Sequence, residues 1–419
     1  MSNPDPVLRQ NVTLDDVIIT VVMARVTDFF GFFVYAIASA LIFPVVFFPH
    51  LDPLPATLWS FAIFSLAFLA RPVASMVARK IERKIGRGGK ITLALMLLGT
   101  STVGIGMLPG YEKIGIAAPI LLAALRVVQG LGLGGSWDGI TLQMKTAAPE
   151  GRAGLYGMVP QLGGPIGFCV AAALFYVLTD FLTTEELYSY GWRFAFFAVM
   201  AVNVVSLFAR LRLLTTNFGG EGEVEQTSAP MKDLLRDEWR SIGLSALLPL
   251  AGYALFHMVT VFPISYTLLF TDNDIAHIIL WQLLGGTLAI AAVVVSGLLA
   301  DRYTKRWVLW IGCALVLVSA ATIGTLNNAP GVFITLGFVV LGLSYGQSST
   351  IVPNRFAPRY RYSGSALSTN LSWILGAAFA PFLGLLLAAT FGLWAAALYT
   401  ISGAVVTAIA LYLLEQRLK

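Results

Sequence analysis

Arg25 and Asp28 in the first stretch apolar enough to cross a bilayer, and Arg126 at the head of R-V-V-Q-G-L-G-L-G-G-S-W-D-G, residues 126–139, are ionisable residues inside such stretches. Charge in hydrocarbon is costly, so groups of this kind normally face a bundle interior, a water-filled cavity or a partner charge. Arg25 and Asp28, at i and i+3, share one helical face. They read equally as a self-neutralising pair and as a coupling pair, in which Asp28 exchanges a proton and Arg25 holds it ionised or binds an anion. Arg126 keeps its proton under all physiological conditions, so its chemistry is that of a fixed positive charge. It can hold a carboxylate on another helix ionised until motion separates the two, and Asp28 is the first choice for that carboxylate. Asp138 lies about 18 Å further along the same helix at ~1.5 Å per residue, so it is no intrahelical partner of Arg126. It reads either as a second proton carrier or as a solvated, helix-pairing charge.

Other polar groups fall in apolar runs of the second part of the chain: Tyr253 and His257, Gln282, Tyr345 and Gln347, and Asn370 with Trp373 at i, i+3. Lining a cavity and simple packing explain them about equally. No lysine-bearing phosphate loop, metal-ligand cluster or nucleophile with a recognisable base is evident, so neither an enzyme nor an ATP-driven pump is expected, and no cofactor or metal. Cys169 and Cys313 sit in apolar runs as packing residues.

The elements that must hold these groups follow from composition. Of 419 residues, 57% are hydrophobic and 12% charged. Runs of about 20 apolar residues, each enough for a hydrocarbon core of roughly 30 Å, recur from end to end. Helices are indicated, since barrel strands would alternate polar and apolar positions. Twelve spans are predicted at 17–46, 56–78, 91–109, 116–145, 154–178, 192–213, 241–269, 276–300, 307–326, 331–352, 363–388 and 392–414. The organisation expected is two six-helix parts, 1–213 and 241–419, joined by a polar linker at 214–240 that ends in an amphipathic surface helix.

Lys and Arg crowd alternate loops, as in Arg79, Lys80, Arg83, Lys84, Arg87 and Lys90, or Asp301-Arg302 with Lys305-Arg306. The positive-inside rule then puts both termini and the linker in the cytoplasm, and explains the net charge of +5 without a nucleic-acid partner. The turns at 79–87 and 297–306 occupy matching places in the two parts, which suggests an internal repeat of the kind secondary transporters use. Asp301, Arg302 and Arg306, with Arg83 and Arg87 in the first part, are candidate gating residues that hold helix ends together by charge. Because Arg83 stands where an acid would match Asp301, the two clamps are expected to be unequal. Glycines at 130, 132, 134, 135 and 139, and at 157, 163, 164 and 167, predict close helix approach, and Pro165 a bend.

These motifs resemble the major facilitator superfamily and, within it, the metabolite:proton symporter family. The resemblance rests on Phe32-Phe33-Val34-Tyr35, Phe68-Leu69-Ala70-Arg71-Pro72, Arg126 to Trp137, Tyr156 to Gly163, Gly191-Trp192-Arg193, and Arg361-Tyr362-Ser363-Gly364 with Asn370. It implies a fold of twelve transmembrane helices in two pseudo-symmetric halves, and alternating access for a small polar, anionic or zwitterionic metabolite driven by protons. It also implies an inner-membrane monomer in a lipid bilayer, with Tyr35 and Gln161 joining Arg25, Arg126, Tyr253, His257, Gln282, Asn370 and Trp373 around the substrate. The chain departs from the family's E-W-Y-D run with Asp28-Phe29-Phe30-Gly31, and from its G-G-E-W-G-G with Gly134-Gly135-Ser136-Trp137-Asp138-Gly139. These departures keep two other readings open: an exporter or exchanger with altered coupling, and a ligand sensor that moves nothing.

Overall fold

The structure, a computed structural model, describes residues 14–136, 144, 148–215, 231–352 and 355–416; these are helical almost throughout, with no strand among them. Twelve apolar helical segments follow one another. The first six are Leu14–Leu41, Pro53–Ala78, Lys80–Met107, Ala117–Gly135, Ala153–Phe181 and Thr184–Phe208. The seventh is the bent pair Trp239–Leu247 and Leu250–Thr260, continued by Phe262–Phe270. Then come Ile275–Arg302, Lys305–Ala321, Pro330–Tyr345, Pro358–Phe391 and Leu393–Gln416. The ninth and tenth, of 17 and 16 residues, reach only about 25 Å at ~1.5 Å per residue. Short turns at Ile323–Leu326 and Ser348–Ile351 lengthen them.

Three departures from the expected pattern have local causes. The basic stretch at 79–90 reads as a loop, yet helix runs from Pro53 to Met107 with a break in backbone angles at Gly86 (φ 77°, ψ 170°). Only glycine takes that left-handed φ without strain. Lys90 reaches back to Glu82 at 2.6 Å, which ties the two arms together close to the turn.

The seventh span, expected to be continuous, bends by 43° after Leu247 and breaks again at Val261. Pro263 has no N–H to offer the carbonyl of Val259. Gln282 of the eighth span supplies the missing donor: its Nε2 donates to Val259 O at 2.9 Å and to Thr260 O at 3.0 Å. In the fifth span the irregular turn is the 3₁₀ segment Val159–Leu162, upstream of Pro165, which sits in the first turn of Gly163–Phe181 where its missing donor costs little.

Glycines set the closeness of packing around Arg126. A Cβ on Gly130 would fall 2.7 Å from Ala67 Cα, and one on Gly132 would fall 2.8 Å from Ala94 O. The fourth span is therefore wedged at backbone contact between the second and third. A helix at Met231–Asp237 lies within the expected linker, and residues 216–230 lie outside the described residues. Asp237 Oδ2 accepts from Tyr360 Oη at 2.6 Å, which fastens that helix to the entry of the eleventh span.

Candidate functional site

Where the first six spans meet the last six, aromatic rings fill the middle of the bundle. Phe33 stacks on Phe256 at 5.5 Å, with the planes 10° apart. His257 lies against Phe32 at 5.4 Å and Phe64 at 5.2 Å. Trp373 packs on Tyr253 at 4.5 Å and on Phe68 at 6.0 Å. Each of these rings except Tyr253 meets one from the other set of six, so the interface is an aromatic seam.

Positive charge rims this seam. Arg25 Nη1 stands 3.5 Å from Asp28 Oδ2, and its guanidinium covers the Phe29 ring at 5.2 Å. Arg71, from the second span, covers the Trp373 ring at 5.6 Å and lies within electrostatic reach of Arg25, Asp28, Tyr253 and Tyr345. Arg126 is 1% exposed. Its guanidinium carbon sits 3.7 Å from the centre of the Tyr35 ring, Nε donates to Phe64 O at 3.2 Å, and Nη1 donates to Gln129 Oε1 at 3.1 Å. Gln129 is oriented in turn by Thr102, whose hydroxyl accepts from Gln129 Nε2 at 2.8 Å.

The end of the bundle that carries the basic turns is closed. Asp301, at the end of the eighth span, accepts the backbone N–H groups of Gly154 and Leu155, the latter at 3.0 Å. Gln347 Nε2 donates to Gly154 O at 3.2 Å, and Asn370 Nδ2 donates to Ser75 Oγ at 2.7 Å. All of these bonds join the first six spans to the last six.

The family described as Major Facilitator Superfamily matches residues 29–371. The chain belongs to the major facilitator superfamily.

Relatives within the major facilitator superfamily span nearly the full length. The chain is 36% identical to the inner membrane metabolite transport protein YhjE of Escherichia coli (strain K12), covering 96% of this chain and 94% of that one. It is 27% identical to the shikimate transporter of the same organism, over 93% and 92%. It is also 27% identical to that organism's proline/betaine transporter, over 82% and 71%. Among solved structures, a D-xylose-proton symporter superposes with a TM-score of 0.72 at 15% identity, over 94% of this chain and 97% of that one, and shows the shared fold. This major facilitator protein is thus a transporter by family, not an enzyme.

The superfamily fold sorts the residues that the sequence singles out. Arg25 and Asp28 form the expected i, i+3 pair. The pairing expected between Asp28 and Arg126 is not seen: Arg126 has no carboxylate partner among the described residues, and a ring and two oxygens hold it instead. Tyr35 serves as that ring. Gln161 is buried in the irregular turn of the fifth span, and Asn370 bridges to Ser75.

Gln282 turns its Nε2 toward two carbonyls of the broken seventh span, while its Oε1 is buried without a hydrogen-bond partner. Of the candidate gating residues, Asp301 makes the contact just described, whereas Arg83 and Arg302 are exposed and Arg87 and Arg306 half-buried. Asp138 lies outside the described residues. The residue that sequence reasoning passed over is Arg71. It was visible as an arginine inside an apolar run, the same signal that marks Arg25 and Arg126.

Proposed function

We propose that this transporter moves a small organic anion across the bacterial inner membrane by alternating access, coupled to protons. The observation that carries the reading is the charge imbalance at the seam. Arg25, Arg71 and Arg126 gather there, and Asp28 is the one carboxylate within reach of them among the described residues. A carboxylate-bearing substrate supplies the missing negative charge, and planar guanidinium groups hold it in bidentate fashion. Tyr253, His257, Gln161, Asn370 and Trp373 then shape the pocket that forms as the rings part. Asp28, paired with Arg25, is the protonatable group, and Arg126 the fixed charge that it works against.

The basic end faces the cytoplasm, and residues 1–213 and 241–419 are the bodies that rock, joined by 214–240. Both bodies come from one chain, so a monomer suffices. Uptake into proteoliposomes under an imposed proton gradient, screened over organic acids, amino acids and osmolytes, tests the reading. Accumulation of an acid, lost in Arg25→Ala and Arg71→Ala, is expected. Accumulation that ignores the gradient would remove proton coupling, and ligand-dependent thermal stabilisation without flux would mark a sensor.

One observation favours export or exchange as a second reading. A Cβ on Gly31 would meet Val199 Cγ1 at 2.8 Å, so the acid that the resemblance implies at this position would have to displace the Val199 side chain. Substrate accumulation in inside-out vesicles distinguishes that direction.

A further inference from the structure

A cavity of about 10 Å³ lies between the first, third, fourth and sixth spans, with Thr27, Asp28, Arg126, Gln129 and Asn203 supplying its polar lining. None of the roles given above uses Asn203. It is 4% exposed, and neither its Nδ2 nor its Oδ1 has a hydrogen-bond partner within the protein. Arg126 Nη2 is equally without one, although Nε and Nη1 are held. An unsatisfied buried polar group costs roughly 1–3 kcal/mol, and such groups are nearly always satisfied by protein or by ordered water.

No neighbour in the lining takes them in this arrangement. Gln129 spends Oε1 on Arg126 and Nε2 on Thr102, and the Thr27 hydroxyl donates to Met23 O at 3.0 Å. The capacity that remains on Arg126 and Asn203 is one guanidinium donor, an amide donor and an amide acceptor, and the Asp28 carboxylate lines the same cavity. Charge selects the occupant. Asp28 repels an anion and Arg126 repels a cation, which leaves a neutral molecule with both donors and acceptors. The space sits at the lower limit for one water, roughly 10–15 Å³.

We propose that one ordered water fills this cavity and that Asn203 positions it as a bridge between Asp28 and Arg126. The two charges, which make no direct ion pair, are then linked through a neutral intermediary. The water site stands on this geometry. Only its use in coupling rests on the proposed function, and the tests below need no substrate.

A crystal structure of the full chain, at a resolution that shows ordered waters, is expected to contain one water within hydrogen-bond distance of Asn203 and Arg126. It should be absent in Asn203→Val and retained in Asn203→Thr, which differs from Val by a hydroxyl. A dry cavity, an ion in it, or a water that persists unchanged in Asn203→Val would overturn the assignment.

Thermal unfolding gives a second, sign-based test with Asn203→Leu. If Asn203 is truly unsatisfied, an apolar side chain of similar size raises Tm; if it holds a water to Arg126, the change lowers Tm by about 2–4 °C per kcal/mol lost. A lowered Tm, with Asn203→Thr closer to wild type, is expected, and a raised Tm refutes the bridge. Should Asn203→Leu not fold, the wild-type and Asn203→Thr structures still decide. Proton-independent transport together with an occupied cavity would remove the coupling reading and leave the water site intact.

Discussion

The Asp301 carboxylate sits on the backbone N–H of Gly154, so the end of the eighth span caps the start of the fifth across the seam. A negative charge at a helix N-terminus is stabilising, and Gly154 gives the close approach: a Cβ there would lie 2.7 Å from Gly297 O. Asn at 301 keeps the shape and loses the charge. Charge-assisted bonds are roughly twice as strong as neutral ones, so Asp301→Asn should shift the equilibrium toward opening at the basic end by about tenfold. The check is the labelling rate of a cysteine placed at Thr350, which is buried beside Gly157 in this state, in a background lacking Cys169 and Cys313. A rate equal to that of the parent would show that the cap does not hold the end closed.

Arg126 presents a different case, because its hold is directional rather than merely electrostatic. The guanidinium carbon sits over the Tyr35 ring at 3.7 Å while Nε and Nη1 reach Phe64 O and Gln129. A lysine keeps the charge but has neither the planar face nor the fork. Arg126→Lys is therefore expected to lower driven uptake of the acid found in the screen by at least about tenfold, the scale of one or two lost charge-assisted bonds. Uptake within twofold of wild type would mean that positive charge alone is sufficient at this position.

Much of this was legible in the chain itself, and the failures have physical causes. Span number and order follow from apolar runs, since hydrocarbon leaves no other place for them. The Arg25–Asp28 pair follows from i, i+3 spacing, and backbone contact around Gly130 and Gly132 from small residues in a wedge. The role of Gln282 was not legible, because it depends on which carbonyl Pro263 leaves free on a different helix. The inequality of the two basic turns could be read from Arg83. Where Glu82 would go instead could not: it pairs with Lys90 inside its own turn. A carboxylate partner is expected for Arg126 because buried charges usually have one. Its actual hold, a ring and two oxygens, requires three helices at known distances.

Outside the membrane, the Met231–Asp237 helix depends on one carboxylate. Hydrogen bonds from the Tyr360 hydroxyl and from Arg236 hold the Asp237 carboxyl below its ordinary value of 3.8. A group whose folded value is depressed contributes stability above its unfolded value and loses it as pH falls through the folded one. The fastening of this helix to the eleventh span should thus be intact at neutral pH and loosen below about pH 4. Hydrogen exchange over residues 231–240, expressed as protection relative to the intrinsic amide rate at each pH, would show protection lost in acid for wild type, and protection already low at neutral pH for Asp237→Asn. Equal protection of the two proteins at neutral pH would sink the idea.

The break in the seventh span gives the clearest separation between holding the fold and contacting a substrate. Gln282 Nε2 satisfies the Val259 and Thr260 carbonyls at 2.9 and 3.0 Å, and in a bilayer no water would replace it easily. Gln282→Leu matches the size and removes the donor, leaving carbonyls unpaired at a cost of roughly 1–3 kcal/mol. A Tm lower by several degrees is expected, with the KM of the transported acid within about twofold of wild type, because the Gln282 donor is engaged on the seventh span. The opposite pattern, an unchanged Tm with a KM raised tenfold or more, would return Gln282 to the substrate and require the seventh span to be held by something else.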